Sequence, residues 1–297
     1  MKLYRIYRTA ILAALLLSYV LLVSCESDPQ KFPEGNIDVD SEIYIVPMDA
    51  FLTSFGLELQ ADLDNGNIPG VLKRFKDSGL ELPDNISAEK KDDYWLVSDN
   101  SNRRNYSVKR EGDKLNIYKY VNEKYLYPLI PKLEKRFTTK VHLALDKRIA
   151  IPDDSYDYNT KQYVAMYILS ELIREVDVPG DAKMLGVVNV DLFIPESDLP
   201  FIFGQAHVGT PGKGAIISML RMDPYSYKGS KPNDELLAQR MIKEAIHELG
   251  HVFGLRNCGE PECVMYLPKD LRSLDKKSDS FCLACQKELR FLKKPSE

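Results

Sequence analysis

The chain has 297 residues, 44% of them hydrophobic and 28% charged, with a formal net charge of −4. This composition describes a folded chain long enough for one large domain or two small ones, and it excludes a disordered, collagenous or generally basic nucleic-acid-binding protein. Five cysteines are too few for a disulfide-dense mini-protein, and four histidines (His142, His207, His247, His251) leave a short choice for any imidazole metal site.

Lys2, Arg5 and Arg8 precede an apolar run from Ala10 to Val23, interrupted only by Ser18 and Tyr19. Some ~14 residues make about 21 Å of helix, short of a hydrocarbon core roughly 30 Å thick, so residues 1–24 read as a secretory signal peptide. Leu22-Val23-Ser24-Cys25 resembles a bacterial lipobox, which implies lipidation of Cys25; a signal cut elsewhere is the alternative. Lipidation implies a lipoprotein held to a membrane of the bacterial cell envelope, facing the periplasm or the cell surface. Removing residues 1–24 takes away three positive charges and no negative ones, which deepens the net charge to −7. Residues 25–42 carry Pro, Gly, Asn, Ser and many acids and read as a lipidated tether.

Beyond the tether, Glu42–Met48 (EIYIVPM) is a β-branched run that predicts a strand. Phe51–Phe75 predicts a weakly periodic helix broken by Gly66, Pro69 and Gly70. The segments 94–97, 106–110 and 114–121 predict short strands of an antiparallel meander. Residues 43–119 therefore read as a first strand plus a small β-rich subdomain. From residue 120 helices and strands alternate: a helix over 125–137, a strand over 140–145, and a helix over 163–176 from the spacing of Val164, Ile168 and Leu172. A near-continuous apolar strand over 184–194 suits burial on both faces of a sheet. Two further strands are expected over 201–208 and 214–219. The strongest helix spans 234–255, capped by Asn233 or Asp234 and ended at Gly254. This order predicts an α/β or α+β domain over 120–290. Lys276, Lys277, Lys293 and Lys294 read as exposed surface charges.

The last long helix contains His247-Glu248-Leu249-Gly250-His251. Histidines at i and i+4 share one helix face, so both imidazoles reach one ion. Glu248, offset by one residue, is placed to take a proton from water beside that ion. Downstream, Cys258 and Cys263 are followed by Met265 and by the Cys282-x-x-Cys285 pair. Such spacing suits a tetrahedral four-cysteine zinc site, and two disulfides are the alternative for an exported chain.

HELGHVFGLRNC resembles the HExxHxxGxxH signature of metzincin metalloproteases. Its run into Cys258, then Cys263-x-Met265 and a CxxC pair, resembles the archaemetzincin family of zinc metallopeptidases. LGVVNVDLFIP (185–195) and FIFGQA (201–206) look like that family's central strand and the strand bordering its cleft. The resemblance covers about residues 120–290, with EIYIVPM as a displaced first strand and 52–115 as an insertion. It implies a metzincin-like fold, in which a twisted mixed sheet carries an active-site helix and a C-terminal four-cysteine segment. It also implies two Zn2+ ions: a catalytic one on His247 and His251 with Glu248 as general base, and a structural one on Cys258, Cys263, Cys282 and Cys285. Met265 matches the methionine beneath the metal. The implied partner is a peptide or protein substrate, extended along Phe201–Val208, and not a nucleic acid.

Where the family pattern has a third histidine, this chain has Asn257, whose neutral carbonyl oxygen is a weak zinc ligand. Three outcomes follow. Asn257 ligates weakly; His207 or Asp275 stands in; or the chain is a peptide-binding pseudo-protease of the cell envelope.

Overall fold

One strand, β1 (Ile43–Phe55), joins two differently built halves of a single sheet. Two short helices follow it, α1 (Glu58–Asp64) and α2 (Ile68–Asp77). Next come the strands β2 (Ile86–Lys90), β3 (Tyr94–Asp99), β4 (Asn105–Glu111) and β5 (Lys114–Lys119). Helix α3 (Leu129–Phe137) leads to β6 (Val141–Leu143) and β7 (Ile149–Ile151), and β8 (Tyr156–Asp157) and β9 (Gln162–Val164) lead to α4 (Ala165–Glu175). Then come β10 (Lys183–Val188), β11 (Leu192–Phe193), β12 (Gly204–Ala206), β13 (Gly214–Ser218), α5 (Asp234–Val252), α6 (Leu271–Lys276) and α7 (Leu283–Leu292). This computed structural model describes residues 37, 39–80, 82–83, 85–99, 103–207 and 212–292. The expected signal peptide, Cys25, most of the tether, Val208, Lys293 and Lys294 lie outside the described residues.

The sheet order is β12-β13-β10-β1-β5-β4-β3-β2, with β6 and β7 also paired to β1. The first half of β1 runs parallel to β10 and β6, and its second half runs antiparallel to β5 through a register shift between Phe51 and Thr53. The sheet is therefore mixed. Its parallel part is apolar on both faces, as expected for strands covered on both sides. Ile43, Ile45, Leu185, Val187, Ala215 and Ile217 face a core shared with α3, α5 and the cysteine segment. Val46, Met48, Met184, Val188 and Ile216 face the opposite core, against α4. The two-residue alternation of strand side chains thus sorts one apolar run into two cores. A third core, around Leu59, Leu63, Val71 and Phe75, places α1 and α2 on the meander strands.

Several expected elements differ in extent. Phe51–Phe55 continues β1 instead of starting a helix, because its backbone pairs with residues 115–118 of β5. The helical signal begins only at Glu58, and Gly66, at φ +64°, separates α1 from α2. Asn67 then caps α2, its side chain accepting from Gly70 N–H, with Pro69 in the first turn. The expected 184–194 strand divides into β10 and β11. The 201–208 strand shortens to Gly204–Ala206, with Ile202 instead bridging to Leu192. The first residues of the 163–176 helix belong to β9, and the 125–137 helix starts at Leu129 after a 3-10 turn over Glu123–Tyr125.

Candidate active site on helix α5

Asn233 caps α5, its Oδ1 accepting from Leu236 N–H, and Asp234 and Glu235 complement the positive end of the helix dipole. The chain leaves the helix through Gly254 at φ +101°, where Leu255 N–H bonds to Gly250 C=O. The second half of α5 is buried on nearly every side, polar residues included: Glu244, His247 and Glu248 are all under 5% exposed. Buried charges and imidazoles of this kind need partners, and each has one.

His247 Nδ1 lies 2.9 Å from Val264 C=O, and His251 Nδ1 lies 2.7 Å from Leu255 C=O. A carbonyl only accepts, so each Nδ1 carries a proton, and in the neutral ring the lone pair is left on Nε2. Those two Nε2 atoms face each other at 3.2 Å. When both rings are neutral in this tautomer, there is no hydrogen bond between them. The separation is instead close to the ~3.3 Å expected of two imidazoles on one tetrahedral zinc with Zn–N near 2.05 Å. Burial, Lys277 and the neighbouring His251 hold the His247 imidazole well below its usual pKa, so it is neutral, as a metal ligand must be.

Glu248 packs against edge strand β12. A Cβ on Gly204 would lie 2.8 Å from Glu248 Cγ and 3.0 Å from its Oε1, so only glycine leaves this carboxylate its place. Burial and the Glu244 carboxylate push the Glu248 carboxyl well above the ordinary range, and the Lys277 ammonium pulls it back. Lys277 is fully buried, with Nζ 3.3 Å from Glu244. This corrects the expectation that it is an exposed surface charge; it fixes the segment after Met265 to the active-site helix.

One turn carries much of the site. Cys263, Val264 and Met265 are fully buried. Val264 supplies the carbonyl that orients His247, and Met265 Sδ would lie 2.5 Å from a Cβ on Gly250, so the glycine of HELGH admits the methionine beneath the helix. Cys263 points to the four-sulfur cluster. The Cys258–Cys282 and Cys263–Cys285 sulfurs are each 3.8 Å apart, all four lie within 4.8 Å of one another, and all are free thiols. A disulfide needs about 2.05 Å, whereas the sulfurs of a zinc tetrahedron with Zn–S near 2.3 Å stand about 3.8 Å apart. The disulfide alternative therefore gives way to a metal-shaped cluster. Hydrogen bonding with Cys285 pulls the Cys263 thiol down to about 5, while burial lifts Cys258 to about 11. Four such sulfurs share negative charge comfortably only around a cation.

The proposed substitutes for the third imidazole do not assemble. Asp275 holds Arg240 through both oxygens at 2.7 Å, which corrects its candidacy as a stand-in ligand. His207 is exposed, its Nδ1 accepting from Lys213 N–H. Among the described residues, the four cysteines are the only group of three or more His, Cys, Asp or Glu side chains with ligand atoms within 4.8 Å of one another. Asn257 is exposed, one residue before Cys258, whose N–H bonds to Met265 C=O at 2.8 Å. Sequence reasoning missed Glu244, Lys277 and Gly204. No motif marks them, although Glu244 was legible as the residue one turn before Glu248 on the same face.

The paired imidazoles on a buried helix thus have a carboxylate beside an edge strand on one side and a methionine turn beneath them. A family model, Peptidase family M54, matches residues 115–291. The archaemetzincin of Pyrococcus abyssi is 44% identical over 137 residues, covering 46% of this chain and 69% of that protein. The archaemetzincin of Methanopyrus kandleri is 34% identical over 169 residues, covering 55% and 89%. The solved structure of a zinc-dependent peptidase from Methanocorpusculum labreanum superposes with a TM-score of 0.50 at 30% identity, covering 57% of this chain and 95% of that one. The chain belongs to peptidase family M54, the archaemetzincins.

Proposed function

We propose that the chain hydrolyses peptide bonds at the α5 site, with His247 and His251 holding a catalytic zinc and Cys258, Cys263, Cys282 and Cys285 holding a structural one. The observation that carries this reading is the pair of Nε2 atoms facing each other at 3.2 Å while each Nδ1 is engaged by a backbone carbonyl. Zinc, when bound there, acidifies water and polarises the scissile carbonyl. Glu248 takes the proton from the attacking water and passes it to the leaving amine. Its burial makes it a strong base once it is ionised, and Lys277 together with the cation favours that ionised form. Among the described residues edge strand β12 pairs with β13 on one side only, which leaves its other side to pair with an extended peptide backbone.

Glu248→Gln should abolish peptide cleavage while the protein keeps its zinc; turnover equal to wild type would refute the general-base role. The second reading is a weakened or inactive pseudo-protease that binds peptides. It is favoured by the exposed Asn257 and by the absence, among the described residues, of a third His, Cys, Asp or Glu at the imidazole pair. Metal analysis separates the two: near two zinc ions per chain supports hydrolysis, near one supports binding alone.

We also infer that the protein is a bacterial lipoprotein of the cell envelope, anchored through Cys25, on the strength of the Leu22–Cys25 pattern after a basic and apolar leader. Cys25→Ser should move it from the membrane fraction to the soluble fraction. Retention of the variant in the membrane would defeat the inference. No helix among the described residues is long and apolar enough to cross a membrane.

A further inference from the structure

A cavity of about 460 Å³ opens where the insertion meets the loops after β10 and β13, lined by Arg103, Arg104, Tyr106 and Lys119 on one side and by Asn189 and Tyr225 on the other. Its charge is one-sided. The carboxylate on its wall, Asp223, is already used: one oxygen accepts from Arg103 Nη1 at 3.0 Å and the other from Tyr225 N–H at 3.0 Å. Elsewhere several buried or half-buried cations are matched: Arg148 with Asp49, Arg221 with Asp191, Arg240 with Asp275, Lys277 with Glu244.

Lys119 breaks that pattern. Its ammonium has no ion pair or hydrogen bond among the described residues, and Asp191, the carboxylate that attracts it, is held by Arg221 through both oxygens. Arg103, whose side chain is 1% exposed, is ion-paired through its two Nη atoms to Asp223 and Asp234, and its buried Nε has no acceptor among the described residues. Tyr106, a residue 7% exposed, lines the same cavity. The Lys119 ammonium and the Arg103 Nε thus lie at one cavity without an acceptor among the described residues, and an uncompensated buried donor or charge is costly. Burial and the adjacent Arg104 push the Lys119 ammonium down to about 8, in keeping with a cation that lacks its counter-ion.

We propose that this cavity binds a small ligand through an oxyanion, carboxylate or phosphoryl, held by Lys119, Arg103 and Tyr106. The site is built on the insertion and is independent of the peptidase reading. The chain's overall negative charge conceals it.

The test uses the full-length, zinc-loaded chain, with inorganic phosphate as the first probe at constant ionic strength, followed by calorimetry and thermal melts. N-acetyl-dialanine and its C-terminal amide are the second pair of probes. Wild type should bind phosphate or the dipeptide acid saturably, one per chain, with a rise in Tm, and should ignore the amide. Phosphate binding alone assigns a phosphoryl ligand, and acid binding alone assigns a carboxylate. Lys119→Met should lower that affinity at least about tenfold. It should also leave the Tm in anion-free buffer equal or higher, since it removes an unpaired charge. Arg104→Gln should weaken binding in the same direction. The proposal is overturned if neither anion saturates wild type, if Lys119→Met binds as wild type does, or if Lys119→Met lowers the anion-free Tm.

Discussion

The sulfur cluster and the imidazole pair are two metal-shaped sites linked through the turn Cys263–Val264–Met265, yet they are built to opposite plans. The four sulfurs converge from two chain segments to within 4.8 Å and need nothing further to complete a tetrahedron. The imidazoles supply two lone pairs and leave the remaining positions open, because Asn257 is exposed and Asp275 is held by Arg240. A closed site stores folding energy, and an open one leaves room for water and substrate. The turn makes the second depend on the first, since the residue after Cys263 orients His247 and the next packs under Gly250.

The strongest way to break this comparison is to remove a cysteine. Cys263→Ser or a strong chelator should destabilise the chain by more than about 4 kcal/mol, since binding energy at such a site is folding energy. Peptide turnover should fall with it, because Val264 and Met265 lose their anchor. An unchanged Tm with full turnover would show that the two sites are uncoupled. Lys277→Met should come next, at roughly 3 kcal/mol, by leaving Glu244 buried without its cation. Adding Glu244→Gln should recover most of that loss, and a double-mutant cycle by denaturant melts would measure the coupling.

These expectations divide between what patterns reveal and what they hide. The two histidines, Glu248 and the four cysteines stand out in the sequence through short-range spacing and residue chemistry, Met265 only through the family resemblance, and α5 because its cap and Gly254 bracket it. The apolar run over 184–194 disclosed a doubly buried strand, but not its division at residues 189–191. The continuation of β1 through Phe55 was hidden because its partner, β5, lies some 60 residues away and strand pairing leaves no local mark. Lys277 looked like any C-terminal lysine; only the fold buries it against Glu244. The oxyanion cavity was equally invisible, since Arg103 and Lys119 are ordinary surface residue types until the insertion packs on the loops after β10 and β13.

Two changes sharpen the open site without touching the closed one. Asn257→His offers a third imidazole at the position where the HExxHxxGxxH signature has one. Zinc affinity at the α5 site should rise at least about a hundredfold, read by competition with a chelator while the cysteine-bound ion stays in place. If affinity is unchanged, residue 257 does not approach the metal, and the exposed loop is its functional position. Gly204→Ala is the smaller and finer test. Its methyl would meet Glu248 Cγ and the Ile216 carbonyl, each at 2.8 Å, and the backbone carbonyl has less freedom to yield than a side chain. The carboxylate should therefore be displaced by a fraction of an ångström, and kcat should fall about tenfold with zinc content and KM nearly constant, since a misplaced base fails only as the reaction proceeds. A rise in KM with kcat unchanged would instead mean that Gly204 acts by admitting the peptide to the β12 edge, and Glu248 would then owe its position to Glu244 and Lys277 alone.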